Sequence, residues 1–476
     1  MKLKYLSTAI VLATLPTTAV FAAALDRSGQ SMAAFLQPDN YFEVGMSILD
    51  PTVKGQEAGS STTQRNIGDM GEDYFFPSAA LKFQLTDKVS FGLLYDQPFG
   101  ADAKYSGDNI FVSNPGNDAV LSDSAISNII DKKATAALEA QNIPVNEQSL
   151  AQAREQVKNS PEFQQLNGAL TAANGYLGTG NTKVRVDTHN LSFVFGFQPN
   201  QNFNFYAGPV LQRIKGDVSL RGQAYSIYNG YDAKIKETTG VGWLAGVAYQ
   251  IPDIALKASL TYRSEIDHDS HFHENLSLLG FPGLGYVLNG LVVSADKIQA
   301  LNTSGETTIT TPQSVNLDFQ TGIMANTIAF TNIRWVNWKD FAIQPYKFGK
   351  ISEAVGPLIN RPNGFNLVQY SDDQWSINAG VGRKFNDQWA GNVSVGWDSG
   401  AGNPVTTLGP TEGYWNVGLG LQFSPTAQTF VAGGVKYFWL GDAKAQSGAD
   451  AGTNNYIAEF EDNHAIAYGL KLGYRF

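Results

Sequence analysis

The sequence predicts an all-β membrane protein: an antiparallel transmembrane β-barrel of about fourteen strands carrying a helical extracellular loop. Three observations lead there. Segments of about ten residues alternate strictly between large apolar and small or polar side chains. Tight turns join these segments at one end, and long polar stretches join them at the other. The 476-residue chain has 12% aromatics and 48 glycines, yet a mean hydropathy of only -0.18. That is too polar for a helical membrane protein, and no internal run of roughly 18 apolar residues exists.

The N-terminus reads as a secretory leader over residues 1–24. Lys2 and Lys4 supply the positive start, residues 6–15 the apolar stretch, and Ala22 or Ala24 the small residue before cleavage. The apolar stretch is too short for a membrane anchor. The absence of cysteine removes thiolate chemistry and suits an oxidising compartment. A net charge of -10 argues against nucleic acid as a partner, since nothing would neutralise its phosphates.

The clearest strand is residues 414–423. Trp415, Val417, Leu419, Leu421 and Phe423 share one face; Asn416, Gly418, Gly420 and Gln422 share the other. The same reading applies to residues 190–198, 242–251 and 375–382. Small polar inner faces suit a wet or plugged lumen rather than a second packed sheet. Turns at 86–88, 199–202, 252–253, 386–387 and 424–426 are short. Stretches 51–72, 106–182, 268–312 and 441–462 are long, and belong at the extracellular end. An even strand number then puts both termini in the periplasm.

Aromatics at strand ends (Tyr74 with Phe75, Trp335 with Trp338, Trp389, Trp397, Trp439) are expected to form interfacial girdles. The last strand alternates Ile466, Tyr468, Leu470, Leu472, Tyr474 and stops on Phe476, an ending of the kind read by the outer-membrane barrel assembly machinery. Residues 120–177 break the β pattern. Ile126, Ile129, Ile130, Ala134, Ala137 and Leu138 follow helical spacing, with Ser122 or Asp123 as cap. Two shorter helices follow, carrying Leu150, Ala153 and Val157, then Phe163, Leu166 and Leu170. They form either a lid over the barrel mouth or a solvated spacer.

Residues 74–78 (YFFPS), 93–100 (LLYDQPFG), 242–246 (GWLAG), 260–265 (LTYRSE), 311–313 (TPQ) and 335–338 (WVNW) occur in an order that resembles the FadL/TodX family of outer-membrane transporters for long-chain fatty acids and other hydrophobic compounds. The resemblance runs from about residue 40 to the C-terminus. It implies a monomeric 14-stranded barrel (residues 41–476) with a short N-terminal plug (25–40). It also implies capture of a fatty acid or other hydrophobic molecule by loops, then lateral release through a kinked third strand; no energy coupling is visible in the sequence, so passive uptake is the first reading. Pro98, Phe99 and Gly100 are the expected lateral gate, because proline donates nothing to a ladder and glycine tolerates a bulge; a plain strand end is the alternative. The chain departs from the family in three ways: its helical loop lies between strands three and four, its plug is short, and the plug lacks the family's Asn-Pro-Ala stretch.

For substrate contact, the apolar loop containing Leu278, Leu279, Phe281, Leu284 and Tyr286 is the expected capture groove, since exposed apolar patches mark binding; packing beneath the helices is the alternative. Arg213 and Lys215 match family positions holding basic residues near an internal carboxylate site, the alternative being rim cations meeting lipid headgroups. Arg263, Glu265, Lys257 and Ser259 are expected on the lumen face, pairing with each other or with the plug. His268, His271 and His273 among acids are read as a polar loop root and not as a metal site. No cofactor or enzymatic activity is expected: neither a Gly-x-Ser-x-Gly elbow nor a His-Glu-x-x-His helix occurs, and the pair Asp372 and Asp373 does not fit a rim protease of this strand number. The competing readings are a diffusion channel for small polar solutes and an adhesin-like surface barrel. Outer-membrane lipid and lipopolysaccharide are the expected surroundings.

Overall fold

The computed structural model describes residues 25–121, 123–290, 301 and 303–476. The expected leader and the cap candidate Ser122 lie outside them. Fourteen antiparallel wall strands close on themselves. They are β1 (Tyr41–Thr52), β2 (Tyr74–Gln84), β3 (Val89–Asp96 continued by Gly100–Lys104), β4 (Lys183–Phe197), β5 (Phe203–Leu220), β6 (Tyr231–Ile251) and β7 (Leu256–Arg263 continued by Ile266–Leu276). The circuit continues with β8 (Glu306–Thr311 and Ser314–Met324), β9 (Thr327–Val336), β10 (Gln374–Lys384), β11 (Trp389–Asp398), β12 (Tyr414–Phe423), β13 (Thr429–Leu440) and β14 (His464–Arg475). β14 pairs with β1 from Tyr41↔Arg475 to Thr52↔His464, which closes the sheet into a barrel.

Alternation decides which way each side chain faces. On β12, Trp415 and Leu419 are 62% and 59% exposed, while Tyr414, Asn416 and Gln422 are buried. An apolar outer face is stable only against lipid. Asn200 and Asn386 close two of the short turns, each accepting two backbone N–H groups through Oδ1. Both ends of the wall lie at this short-turn end, where the Phe476 N–H donates to Asn40 O.

The outward aromatics form two bands. Trp243, Trp375, Trp415 and Trp439 mark the loop end; Phe203, Phe385, Trp389 and Phe476 mark the turn end. Two residues assigned to the girdle face inward instead. Tyr74 falls on the inner phase of β2 and is buried. Trp338 lies past the end of β9, fully buried, with its Nε1–H donating to Gln374 Oε1 at 2.7 Å.

Helices α1 (Asp123–Ala140), α2 (Glu147–Asn159) and α3 (Pro161–Asn174) lie between β3 and β4. Asn146 and Ser160 cap α2 and α3 through hydrogen bonds from Ser149 N and Phe163 N. Ala134 and Leu138 pack on Ala153, and Leu166, Leu170 and Ala173 join the main apolar core, so the insertion is a packed lid and not a solvated spacer. A five-stranded sheet of loop segments (Val405–Thr406, Ala443–Gln446, Ala458–Phe460, Gly55–Glu57, Asn66–Ile67) completes the cover.

Candidate functional site

Residues 25–40 run inside the barrel as a plug. Its rear is apolar: Met32, Phe35 and Leu36 pack with Tyr206, Leu244 and Phe430. Backbone carbonyls, otherwise orphaned in the lumen, are met by wall side chains. Lys257 Nζ donates to Leu36 O at 2.8 Å, Lys82 Nζ to Gln37 O at 2.7 Å, and Asn316 Nδ2 to Gly29 O at 2.6 Å. The front is held by charge. Arg334 Nε donates to Asp26 Oδ2 at 2.7 Å, both side chains being at most 2% exposed. Further donors of the same guanidinium reach Asn316 Oδ1 at 2.7 Å and Gln30 Oε1 at 3.1 Å.

The wall is interrupted where the plug begins. β3 pairs with β2 only as far as Ala79↔Tyr95, so residues 74–78 of β2 lie beyond the end of that ladder. On its other side, β3 pairs with β4 through Asp96↔Asn190 and resumes at Gly100↔Asp187. Three residues, 97–99, therefore stand opposite two, Thr188 and His189: a bulge that turns the strand inward. Pro77 and Pro98 face this break without N–H donors. The plug supplies the missing bonds. Arg27 N–H donates to Pro98 O at 2.6 Å and Gly100 N–H to Leu25 O at 2.8 Å. Thr188 Oγ1 accepts from Phe99 N. The inner mouth is aromatic, with Tyr74 stacked on Phe76, Phe99 edge-on to Trp338, and the Arg27 guanidinium 5.3 Å from the Tyr74 ring centroid.

Above the plug lies a cavity of about 60 Å³, several times what one water needs. Its walls are almost wholly apolar: Ala101 and Ala103 of β3, Val184 and Val186 of β4, Val218, Ile235, Phe272, and Ile343, Leu367 and Leu408 from the loops. Leu25 and Arg27 form the side shared with the wall interruption. Burial pulls the Arg27 pKa down from its usual value, opposed by Tyr74, Tyr370 and Asp26. The lining also includes Arg27 on the plug side and Asp102 and Asp217 on the wall side, so a largely apolar chamber with a few charged and polar groups at its margin suits a hydrophobic body carrying one polar end.

Pro98, Phe99 and Gly100 lie at the interruption itself. The loop residues lie elsewhere, at the barrel mouth: Leu278 is buried in the core, Leu279, Phe281 and Leu284 pack partly against it, and Tyr286, which precedes the end of α4 (Leu284–Gly290), is 44% exposed. Phe281 meets Tyr176 beside the lid at 5.1 Å. The structure does not bring Arg213 and Lys215 to the interior. Pro209 stays paired to Trp243, so β5 keeps its phase, and both cations share the outward face with Leu211, bridging to Glu237 and Asp187. Arg263 does face the plug, its Nη2 donating to Gln30 O, but Glu265 does not: the irregularity at residues 264–265, where Ser264 still bonds Trp243, reverses the phase and leaves Glu265 exposed. His268 is buried against Gln212, whereas His271 faces outward toward Glu306 at 3.5 Å. Arg27, Asp26 and Arg334 were not singled out from sequence. The last two are 308 positions apart, and no local spacing announces such a pair.

A family model described as outer membrane protein transport protein (OMPP1/FadL/TodX) matches residues 169–476, well over half the chain. The chain belongs to the FadL/TodX family. No curated protein matches it in sequence. Among solved structures, a FadL homologue of Pseudomonas aeruginosa is 14% identical with a TM-score of 0.59, covering 93% of this chain and 92% of its own. The P. putida toluene transporter TodX is 10% identical with a TM-score of 0.51 (93% and 91% covered), and the Ralstonia pickettii toluene transporter TbuX 9% with 0.50 (98% and 97%). At such identities these likenesses establish the FadL/TodX fold and carry no substrate with them.

Proposed function

We propose that this protein carries hydrophobic small molecules, long-chain fatty acids among them, passively across the outer membrane. The substrate is captured among the extracellular loops, with Leu278, Leu279, Phe281, Leu284 and Tyr286 at the barrel mouth, and passes into the apolar chamber. It leaves sideways between β2 and β3 at Pro98, Phe99 and Gly100. The observation that carries this reading is that one short plug segment both bounds the chamber and satisfies the broken strand. Displacing residues 25–27 would therefore open chamber and wall together. Arg27 is the cation nearest the chamber for a carboxylate. The toluene transporters sharing the fold favour an apolar cargo in general. The leader is removed after Ala22 or Ala24, both mature termini face the periplasm, and the barrel works as a monomer placed by the barrel assembly machinery.

A plugged lumen weighs against a diffusion channel for polar solutes. Uptake of radiolabelled oleate and of labelled toluene, in cells with and without the gene, tests the proposal. Faster uptake of either supports it; equal uptake of both, together with a large steady conductance in planar bilayers, would replace it with the open-channel reading.

A further inference from the structure

We propose that the outward face of β4–β6, beyond the apolar belt, seats the phosphates of an anionic acyl-sugar lipid in the leaflet beside the wall opening. The proposal rests on the outer apolar face lying in a bilayer and on nothing about the transported substrate.

β5 and β6 are 18 and 21 residues long, against 10 each for β9, β11 and β12. A tilted strand needs only about 9–11 residues to cross a bilayer, so this side of the wall projects beyond it. The projecting part changes character along one row. Leu191, Leu211 and Val241 are register partners and form the last apolar row; the next is His189, Arg213 and Thr239. From there the outward positions carry Arg213, Lys215, Arg185, Lys183, Lys236 and Lys234, interleaved with Asp187, Asp217, Asp232 and Glu237. On these three strands the outward cations outnumber the acids six to four where headgroups must lie, in a chain of net charge -10, with Asp102 of β3 and Asp267 and Asp269 of β7 on the flanks.

The acids leave these cations poorly satisfied. Arg213–Glu237 is 3.3 Å, Lys183–Asp217 3.6 Å and Lys215–Asp187 3.9 Å, on side chains mostly about half exposed. A well-formed charge-assisted bond is about 2.7–2.9 Å. Lys234 and Lys236 join no ion pair among the described residues. Guanidinium and ammonium groups fanned over three adjacent strands match the several oxygens of a phosphate. The first cationic row is level with the opening, since His189 stands opposite the 97–99 interruption and its Nδ1 lies 2.7 Å from Tyr95 Oη. A lipid held by this row therefore sets its headgroup beside the gap and runs its acyl chains down the apolar belt from there.

The test is native mass spectrometry of the full barrel in detergent with bisphosphorylated lipid A, the same lipid stripped of both phosphates, and inorganic phosphate as competitor. The wild type is expected to prefer the phosphorylated lipid, and millimolar phosphate not to displace it. The Arg213→Gln/Lys215→Gln/Lys236→Gln variant is expected to bind it at least about tenfold more weakly, each lost cation being worth on the order of fivefold near an anionic surface. Lys158→Gln, on the lid, is the control for general charge, and far-UV circular dichroism confirms that the triple variant is folded. Equal binding of the two lipids, displacement by free phosphate, or undiminished binding by the folded triple variant would overturn the proposal. No transported substrate enters this readout, so its failure leaves the uptake reading standing.

Discussion

Replacing Asp26 by alanine probes how the plug holds the opening shut. Asp26 is the sole carboxylate bonded to Arg334 among the described residues, through contacts of 2.7 and 3.3 Å, with both groups almost fully buried. Removing one partner of a buried pair costs about 3–5 kcal/mol, most of it from stranding the other charge. Here Asn316 and Gln30 still accept from Arg334, so the low end applies. About 3 kcal/mol shifts a local open–closed equilibrium roughly a hundredfold. The rear of the plug keeps its bonds from Lys257 and Lys82, so only the front is expected to detach. Because the chain has no cysteine, a single Ser28→Cys reports on that front through a water-soluble maleimide. Labelling that tracks the open population should run on the order of a hundredfold faster in Asp26→Ala/Ser28→Cys than in Ser28→Cys alone. Equal rates would refute the claim that this pair latches the plug.

Three further predictions follow from the same geometry. Ala101→Phe places a ring in the apolar chamber; substrate uptake should fall at least several-fold while the barrel loses only about 1–3 kcal/mol by chemical denaturation, and undiminished uptake would remove the chamber from the path. Phe281→Asp puts a charge where the mouth loop meets Tyr176, and should raise the concentration for half-maximal uptake more than it lowers the maximal rate. Glu412, in the loop before β12, is pushed up to about 7 from 4.5 by burial, with nearby Asp398 adding to the rise. The folded state thus holds the proton more tightly than the unfolded chain. Its contribution to loop stability is fully present below about pH 4.5 and fades as pH rises through 7, so the hydrogen-exchange protection factors of residues 399–413, which are corrected for the intrinsic rise of exchange with pH, should fall between pH 5 and 8, and Glu412→Gln should flatten that fall.

Much of this architecture is legible in the sequence because a period of two survives translation into structure wherever the ladder is regular. The β12 faces, the short turns and the three lid helices stand where alternation and helical spacing place them. Alternation misleads where one extra residue changes its phase, as at residues 264–265, which turn Glu265 outward. It also cannot separate a girdle aromatic from an interior one at a strand end: Trp335 and Trp338 look alike in sequence, yet only the second lies buried against Phe99 and Gln374. Carrying the phase of Leu211 through Pro209 shows why Arg213 and Lys215 point away from the lumen. The plug's contacts are hidden for a different reason, since Asp26 meets Arg334 through tertiary closure alone.

Deletion of Pro98 tests the central claim most directly. It removes both the extra residue of the bulge and the missing donor, leaving two residues opposite Thr188 and His189 and a ladder free to continue toward β2. With the barrel shown to be folded by its heat-modifiable migration, uptake of labelled hydrophobic substrate is expected to fall to the level of cells lacking the gene. Uptake at the wild-type rate through a wall closed in this way would contradict lateral passage between β2 and β3.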